Sequence, residues 1–192
     1  MIRHWFDFMC PYCYVAQHRN GILVRHGFEV VHLPYQVHPE IPIDGLKAGP
    51  RVGAMYTDLE RAAAAAGLPL NWPARLSNTR RALSVAEWIR RTAPDQSDEF
   101  NRRMFAAYFV DGENLGDAAV IDRHVAAVDV DVDALGEALS DGTAKTWLAE
   151  AELAGSEAGV RATPSWLING RLIAGLLPAA EFERIAEGLG DN

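Results

Sequence analysis

The chain has 192 residues, of which 49% are hydrophobic, and this length suits one domain with a sizeable core or a domain with a large insertion. The net charge is −8 at pH 7 and the pI is about 5.2, which argues against a nucleic-acid partner because phosphate binding requires clustered Lys and Arg side chains. No segment approaches the roughly 18 apolar residues of a membrane span, and the N-terminus lacks the apolar centre of a secretory signal, so we expect a cytoplasmic protein with no membrane partner.

The first part of the chain carries a β-α-β pattern. Residues 2–8 are rich in aromatic and branched side chains and predict a buried strand. Residues 11–26 predict a helix, with Pro11 in its first turn and Gly27 at its end. Residues 28–35 predict a second strand. Because one helix connects the two strands, we expect them to be parallel.

The middle of the chain, residues 52–159, is predicted to be almost entirely helical. The predicted helices cover residues 52–66, 79–92, 97–110, 118–127, 132–139 and 144–159. Strand character returns at residues 165–168, and Asn169-Gly170 predicts a hairpin turn to a strand at residues 171–174. Residues 178–189 predict a last amphipathic helix. The layout is therefore a β-α-β unit, a helical block, and a β-turn-β-α unit.

The only two cysteines, Cys10 and Cys13, form a Cys-x-x-Cys motif between the first strand and the first helix. A helix start favours the thiolate, which is the attacking species in disulfide exchange. In a reducing compartment such a pair is more often catalytic or metal-binding than structural. A structural zinc site requires four ligands, and the chain has no second Cys-x-x-Cys motif. We therefore expect a redox-active dithiol, no metal and no other cofactor.

Together with Thr163-Pro164, which precedes Ser165-Trp166-Leu167-Ile168, this motif resembles the DsbA-like family of thioredoxin-fold proteins. Within this family, the chain most resembles the FrnE-type oxidoreductase branch. That branch is related to hydroxychromene-carboxylate isomerases and kappa-class glutathione transferases. Stretches that carry this resemblance are Trp5-Phe6-Asp7, Gln36-Val37-His38-Pro39, Asn78-Thr79-Arg80-Arg81-Ala82, Phe105-Ala106-Ala107-Tyr108-Phe109 and Gly159-Val160-Arg161-Ala162. The resemblance implies a thioredoxin-fold α/β domain formed by residues 1–42 and 144–192, with an all-α insertion at residues 43–143.

The motif and the resemblance assign roles at the dithiol. We expect Cys10 to be the partly exposed nucleophile, and the more buried Cys13 to resolve the mixed disulfide by attacking the sulfur of Cys10. Pro11 and Tyr12, between the cysteines, are expected to tune the thiolate and contact substrate.

Two further predictions concern the surroundings of the cysteines. The resemblance implies a cis bond before Pro164, which exposes the backbone of Thr163 so that an extended substrate can pair with it. His4 lies where thioredoxin-fold enzymes often hold a buried acid, and Asp7 lies three residues before Cys10. We hypothesise that His4 or Asp7 helps to deprotonate Cys13. The alternative for His4 is a core histidine with satisfied hydrogen bonds.

The expected function is that of a cytoplasmic thiol–disulfide oxidoreductase, a reductase or isomerase. Its substrate would be a disulfide in a protein or a small molecule. A thioredoxin system or a low-molecular-weight thiol such as glutathione would reset the dithiol, and the protein would be a monomer or a homodimer.

Two alternatives remain. One is a glutathione-dependent isomerase or transferase, although such relatives usually carry Ser or Thr in place of Cys10 and an aromatic-Trp-Gly stretch where this chain has Ile173-Ala174-Gly175-Leu176-Leu177. The other is a non-catalytic redox sensor or peptide-binding module.

Overall fold

The computed structural model describes residues 1–190, in which helices surround a small mixed sheet. The strands are β1 (Ile2–Phe6), β2 (Val30–Pro34), β3 (Leu46–Lys47), β4 (Arg75–Leu76), β5 (Ser165–Ile168) and β6 (Arg171–Ala174). Four of them form one sheet in the order β2-β1-β5-β6. β1 is parallel to β2 and antiparallel to β5, and β5 is antiparallel to β6. The predicted parallel pair and hairpin are therefore confirmed.

The helices are α1 (Pro11–Arg25), α2 (Ala54–Ala65), α3 (Arg80–Thr92), α4 (Ser97–Phe109), α5 (Ala118–Val125), α6 (Val132–Ser140), α7 (Thr143–Glu157) and α8 (Ala179–Gly190). A short 3-10 turn, Pro94–Gln96, precedes α4. All eight predicted helices are confirmed, with small shifts at their ends. Among the helices of residues 1–190, none is long and apolar enough to cross a lipid bilayer.

Two predictions about the elements are wrong. The first strand ends at Phe6 rather than at residue 8, because the next residues form the loop that leads into α1. The insertion at residues 43–143 is helical but not all-α, because Arg75–Leu76 within it pairs antiparallel with Leu46–Lys47. A two-residue strand is too short to show the alternation of polar and apolar residues that would reveal it in the sequence.

The turn between β5 and β6 explains why Asn169-Gly170 is informative. Asn169 has a φ of 47° and Gly170 a φ of 76°. Two consecutive positive φ angles are typical of the type I′ turn, which matches the twist of a hairpin and favours Asn-Gly.

Two of the hydrophobic clusters lie against the sheet, and one of them contains both cysteines. The first packs the sheet against α1 and α8 and is centred on Ile22, Trp166 and Phe182. The second joins the sheet to the helical block and includes Phe6, Phe8, Met104 and Phe105 together with both cysteines. The start of α1 therefore lies where the core of the sheet continues into the helical block.

Candidate active site

Cys10 lies directly before α1, as its N-terminal cap residue, with φ −78° and ψ 114°. Pro11 occupies the first turn of the helix, where its missing N–H removes no helical hydrogen bond. The Cys10 Sγ donates a hydrogen bond to the backbone oxygen of Thr163 at 3.3 Å. Cys10 is only 9% exposed, so the expectation of a partly exposed thiol is wrong for this state of the protein. Cys10 nevertheless lines a cavity.

The two thiols differ in how readily they ionise. The hydrogen bond from the Cys13 side chain lowers the pKa of Cys10, and burial opposes it. The Thr163 side chain and the backbone N–H of Cys13 lower the same pKa further. Burial raises the pKa of Cys13 well above its usual value, and the neighbouring Cys10 raises it more. Both cysteines are free, buried thiols, and the pair combines one thiol whose pKa is lowered with one whose pKa is raised.

The Thr163–Pro164 peptide bond is cis and lies against the dithiol. The carbonyl of Pro164 accepts a hydrogen bond from the N–H of Gly175 at 2.8 Å, which ties this loop to the end of β6. The hydroxyl of Thr163 is buried and has no hydrogen-bond partner among the described residues. Because it lowers the pKa of both thiols, this hydroxyl is a donor that a thiolate can use.

Asp7 holds the loop between β1 and α1. Its Oδ1 accepts hydrogen bonds from the Thr79 hydroxyl at 2.8 Å and from the Met9 N–H at 3.2 Å. Its Oδ2 accepts one from the N–H of Val37 at 2.9 Å. Burial raises the pKa of Asp7, and these hydrogen bonds oppose the rise. The Asp7 charge raises the pKa of Cys10, so this carboxyl lies within electrostatic reach of the dithiol.

His4 contacts a different group of residues. Asn20 Oδ1 accepts from the Trp166 indole at 2.8 Å, which directs Asn20 Nδ2 at His4 Nδ1, 3.3 Å away. His4 Nδ1 is therefore an acceptor, and it is also 2.9 Å from His32 Nδ1. In this tautomer the proton is on His4 Nε2, which is buried without a partner among residues 1–190. The structure thus leaves His4 no free acceptor for a proton from Cys13, and Asp7 remains the candidate.

Cys10 and His4 line different cavities. The larger, about 660 Å³, is lined by Cys10, Pro11, Tyr12 and Thr163 together with side chains of the helical block. The smaller, about 280 Å³, is lined by His4 and its neighbours. Within residues 1–190, no cluster of three or more His, Cys, Asp or Glu side chains could hold a metal ion.

Residues 1–189 match the family model of the DSBA-like thioredoxin domain. The chain belongs to this family. The predicted thioredoxin fold with a helical insertion is thereby confirmed, while the exact domain boundaries stay a prediction.

Solved structures have the same fold. A probable DsbA oxidoreductase from Streptomyces coelicolor superposes with a TM-score of 0.85 at 19% identity, covering 100% of this chain and 90% of that one. A 2-hydroxychromene-2-carboxylate isomerase gives 0.69 at 20% identity, with 99% and 94% covered. The cytosolic disulfide reductase DsbM from Pseudomonas aeruginosa, solved with GSH, gives 0.58 at 14% identity, with 100% and 99% covered. At these identities the likeness concerns the fold.

The sequence analysis missed three residues of this site. Thr79 and Val37 stand in stretches that resemble the family, but their role in holding the Asp7 carboxylate was missed because they lie in loops far from Asp7 in the chain. Arg51 lines the larger cavity from a segment without regular secondary structure. No periodicity or motif marks such a position, so no sequence signal could have found it.

Proposed function

We propose that the protein is a thiol–disulfide oxidoreductase that works as a reductase or isomerase. The observation that carries this proposal is the asymmetry of the dithiol. Cys10, beside a cavity, has a lowered pKa, and Cys13, fully buried, has a raised one. This arrangement suits a nucleophile that attacks from the cavity and a second thiol that acts afterwards.

The reaction follows from the positions of the two sulfurs. The Cys10 thiolate attacks one sulfur of a substrate disulfide, forms a mixed disulfide and expels the other sulfur as a thiolate. Cys13 then loses its proton and attacks the sulfur of Cys10, which closes the Cys10–Cys13 disulfide and releases the second substrate thiol. Two electrons pass from the protein to the substrate, and the dithiol itself is the redox centre.

The loop of Thr163 and Pro164 takes part in the first step. In the thiol form, Cys10 donates to the carbonyl of Thr163. Ionisation removes that hydrogen bond, so the carbonyl becomes free to accept from an extended substrate. The unpartnered hydroxyl of Thr163 stabilises the thiolate. Asp7 positions the loop before Cys10 and is the group that would take the proton of Cys13.

We further propose that the protein works in the cytoplasm, where reduction or isomerisation is favoured over net oxidation. A thioredoxin system or a low-molecular-weight thiol such as glutathione would return the disulfide to the dithiol. The similar fold of DsbM, a cytosolic disulfide reductase, supports this direction.

The test measures the Cys10–Cys13 disulfide at equilibrium with graded glutathione buffers, by mass after trapping free thiols, together with reduction of insulin. We expect a reduction potential of about −270 mV. We also expect the protein to reduce insulin and Cys10→Ser to abolish this activity. A reduction potential of about −120 mV would indicate an oxidant instead. Turnover that survives Cys13→Ser and requires glutathione would overturn the dithiol mechanism in favour of a glutathione-dependent isomerase or transferase.

A further inference from the structure

The cavity beside Cys10 has the size and the wall of a small-molecule binding site. Its volume of about 660 Å³ lies within the range of small-molecule sites, roughly 300–1,000 Å³. Much of its wall is aromatic or thioether, including Tyr12, Met55, Tyr56, Trp72 and Phe109. Such a wall favours a ligand with an apolar body, and aromatic rings in particular.

Arg51 brings a positive charge into this apolar wall. Its guanidinium carbon lies 5.7 Å from the ring centroid of Tyr56 and 5.6 Å from that of Trp72. Its Nε is buried and has no hydrogen-bond partner among residues 1–190. A buried donor without a partner is costly, and an acceptor on a ligand would remove that cost.

The other charged groups of the wall do not neutralise Arg51. Glu40 is engaged by His38 Nδ1 at 2.8 Å. Arg161 also lines the cavity, and its guanidinium donates to the carbonyls of Ser156 and Val160 rather than to a carboxylate. The wall therefore carries surplus positive charge in a chain whose net charge is −8. A planar guanidinium whose Nε has no hydrogen-bond partner matches a carboxylate, to which it can donate two parallel hydrogen bonds.

We propose that this cavity binds a small organic disulfide with an aromatic or similar apolar body and a carboxylate. The carboxylate lies on Arg51, the apolar body lies against Tyr56 and Trp72, and the disulfide reaches Cys10. This inference rests on the proposed oxidoreductase function and names its substrate class.

The dithiol would reduce this ligand by two thiol–disulfide exchanges. Cys10 forms a disulfide with one ligand sulfur and expels the other half as a thiolate, and attack by Cys13 then releases the first half. The ligand gains two electrons from the dithiol and takes up the two thiol protons, so that two product thiols form. The reductant of the proposed function, a dithiol or a low-molecular-weight thiol, restores the protein.

The test compares second-order rate constants of the reduced protein with two chromogenic aromatic disulfides. Dithiobis(nitrobenzoate) carries carboxylates, and dithiodipyridine carries none. In Arg51→Ala we expect the anionic-to-neutral rate ratio to fall about tenfold, the loss that corresponds to one charge-assisted hydrogen bond. Arg51→Lys should retain most of the ratio. Arg61→Ala removes the same charge from an exposed pair with Asp58 on α2 and should leave the ratio unchanged.

A second measurement separates this inference from the proposed function. Nitrobenzoate has no disulfide, so calorimetric titration with it reports binding alone, and Arg51→Ala should weaken its affinity about tenfold. If neither disulfide reacts but nitrobenzoate binding depends on Arg51, the oxidoreductase function fails and the anion site stands. If the rate ratio and the nitrobenzoate affinity are both independent of Arg51, the inference is overturned. An equal loss of insulin reduction in Arg51→Ala would also overturn the assignment to small molecules.

Discussion

Two buried polar clusters contact α1. One favours the charged form of a buried side chain, and the other favours the neutral form. The thiol cluster consists of Cys10, Cys13, Thr163 and Asp7, at the start of the helix. The histidine cluster consists of His4, Asn20, His32 and Trp166, further along the helix and the sheet. In the thiol cluster, donors around Cys10 lower its pKa despite burial. In the histidine cluster, burial lowers the pKa of His4 well below its usual value and so keeps it neutral.

The difference lies in which hydrogen bonds are already made. The Thr163 hydroxyl has no partner in the described part of the chain, so it is available when Cys10 becomes charged. The acceptor of His4 is already engaged by Asn20 and His32. Burial alone therefore does not decide whether a group ionises, because unused donors beside the group can outweigh the loss of water.

The largest loss of turnover should come from Cys13→Ser. If the thiol cluster carries the chemistry, this variant still attacks through Cys10 but cannot resolve the mixed disulfide, so multiple turnover should stop. Mass spectrometry should detect protein joined to half of the substrate.

The matched control is His4→Phe, which should keep turnover within a few-fold of the unaltered protein. Loss of turnover in His4→Phe with the fold intact would show that the histidine cluster takes part in the reaction.

The histidine cluster should instead control stability. His4→Phe leaves the donors of Asn20 and His32 without their acceptor, at a cost of about 2 kcal/mol. Unfolded histidine titrates near 6.5, while the pKa of folded His4 is depressed. The stability from neutral His4 is therefore present above about pH 6.5 and lost as the pH falls below it, by about 1.4 kcal/mol per pH unit. Denaturant unfolding between pH 7 and 5 should show a shallower pH slope in His4→Phe, and an unchanged slope would contradict this.

Much of the fold could be predicted from the sequence because its signals are local. The Asn169-Gly170 turn, the aromatic strand before Cys10 and the helical periodicity each depend on neighbouring residues. The position of the dithiol at a helix start follows from Pro11 in the same way. The β3–β4 pair could not be predicted, because a strand of two residues is too short to show an alternation of polar and apolar residues.

The residues that hold Asp7 and the charged group in the cavity wall were not predictable, for a different reason. The Asp7 carboxylate is held by Val37 and Thr79, which folding brings from other parts of the chain. Arg51 likewise lines the cavity from a distant segment of the chain, and no sequence motif marks its position. What the sequence leaves open is which donors are satisfied and which are free, and only the packed structure determines that.

Replacements of Cys13 can separate its two roles. Its hydrogen bond is the largest cause of the lowered pKa of Cys10. Cys13→Ala removes the donor and should raise the pKa of Cys10, while Cys13→Ser retains an O–H and should raise it less. The measurement is the pH dependence of Cys10 alkylation. Equal values in both variants would show that the hydrogen bond is not the cause.

The smallest effect on stability should come from Thr163→Val, which tests the free hydroxyl directly. Because that hydroxyl has no partner among residues 1–190, its removal should change the free energy of unfolding by less than about 1 kcal/mol. The pKa of Cys10 should nevertheless rise, since a donor to its thiolate is lost.

Thr79→Val is the matched control, because the same substitution there removes a buried hydroxyl that donates to Asp7. It should cost about 1–3 kcal/mol. If Thr163→Val were equally costly, or left the alkylation profile of Cys10 unchanged, the Thr163 hydroxyl would be a structural group rather than a donor reserved for the thiolate.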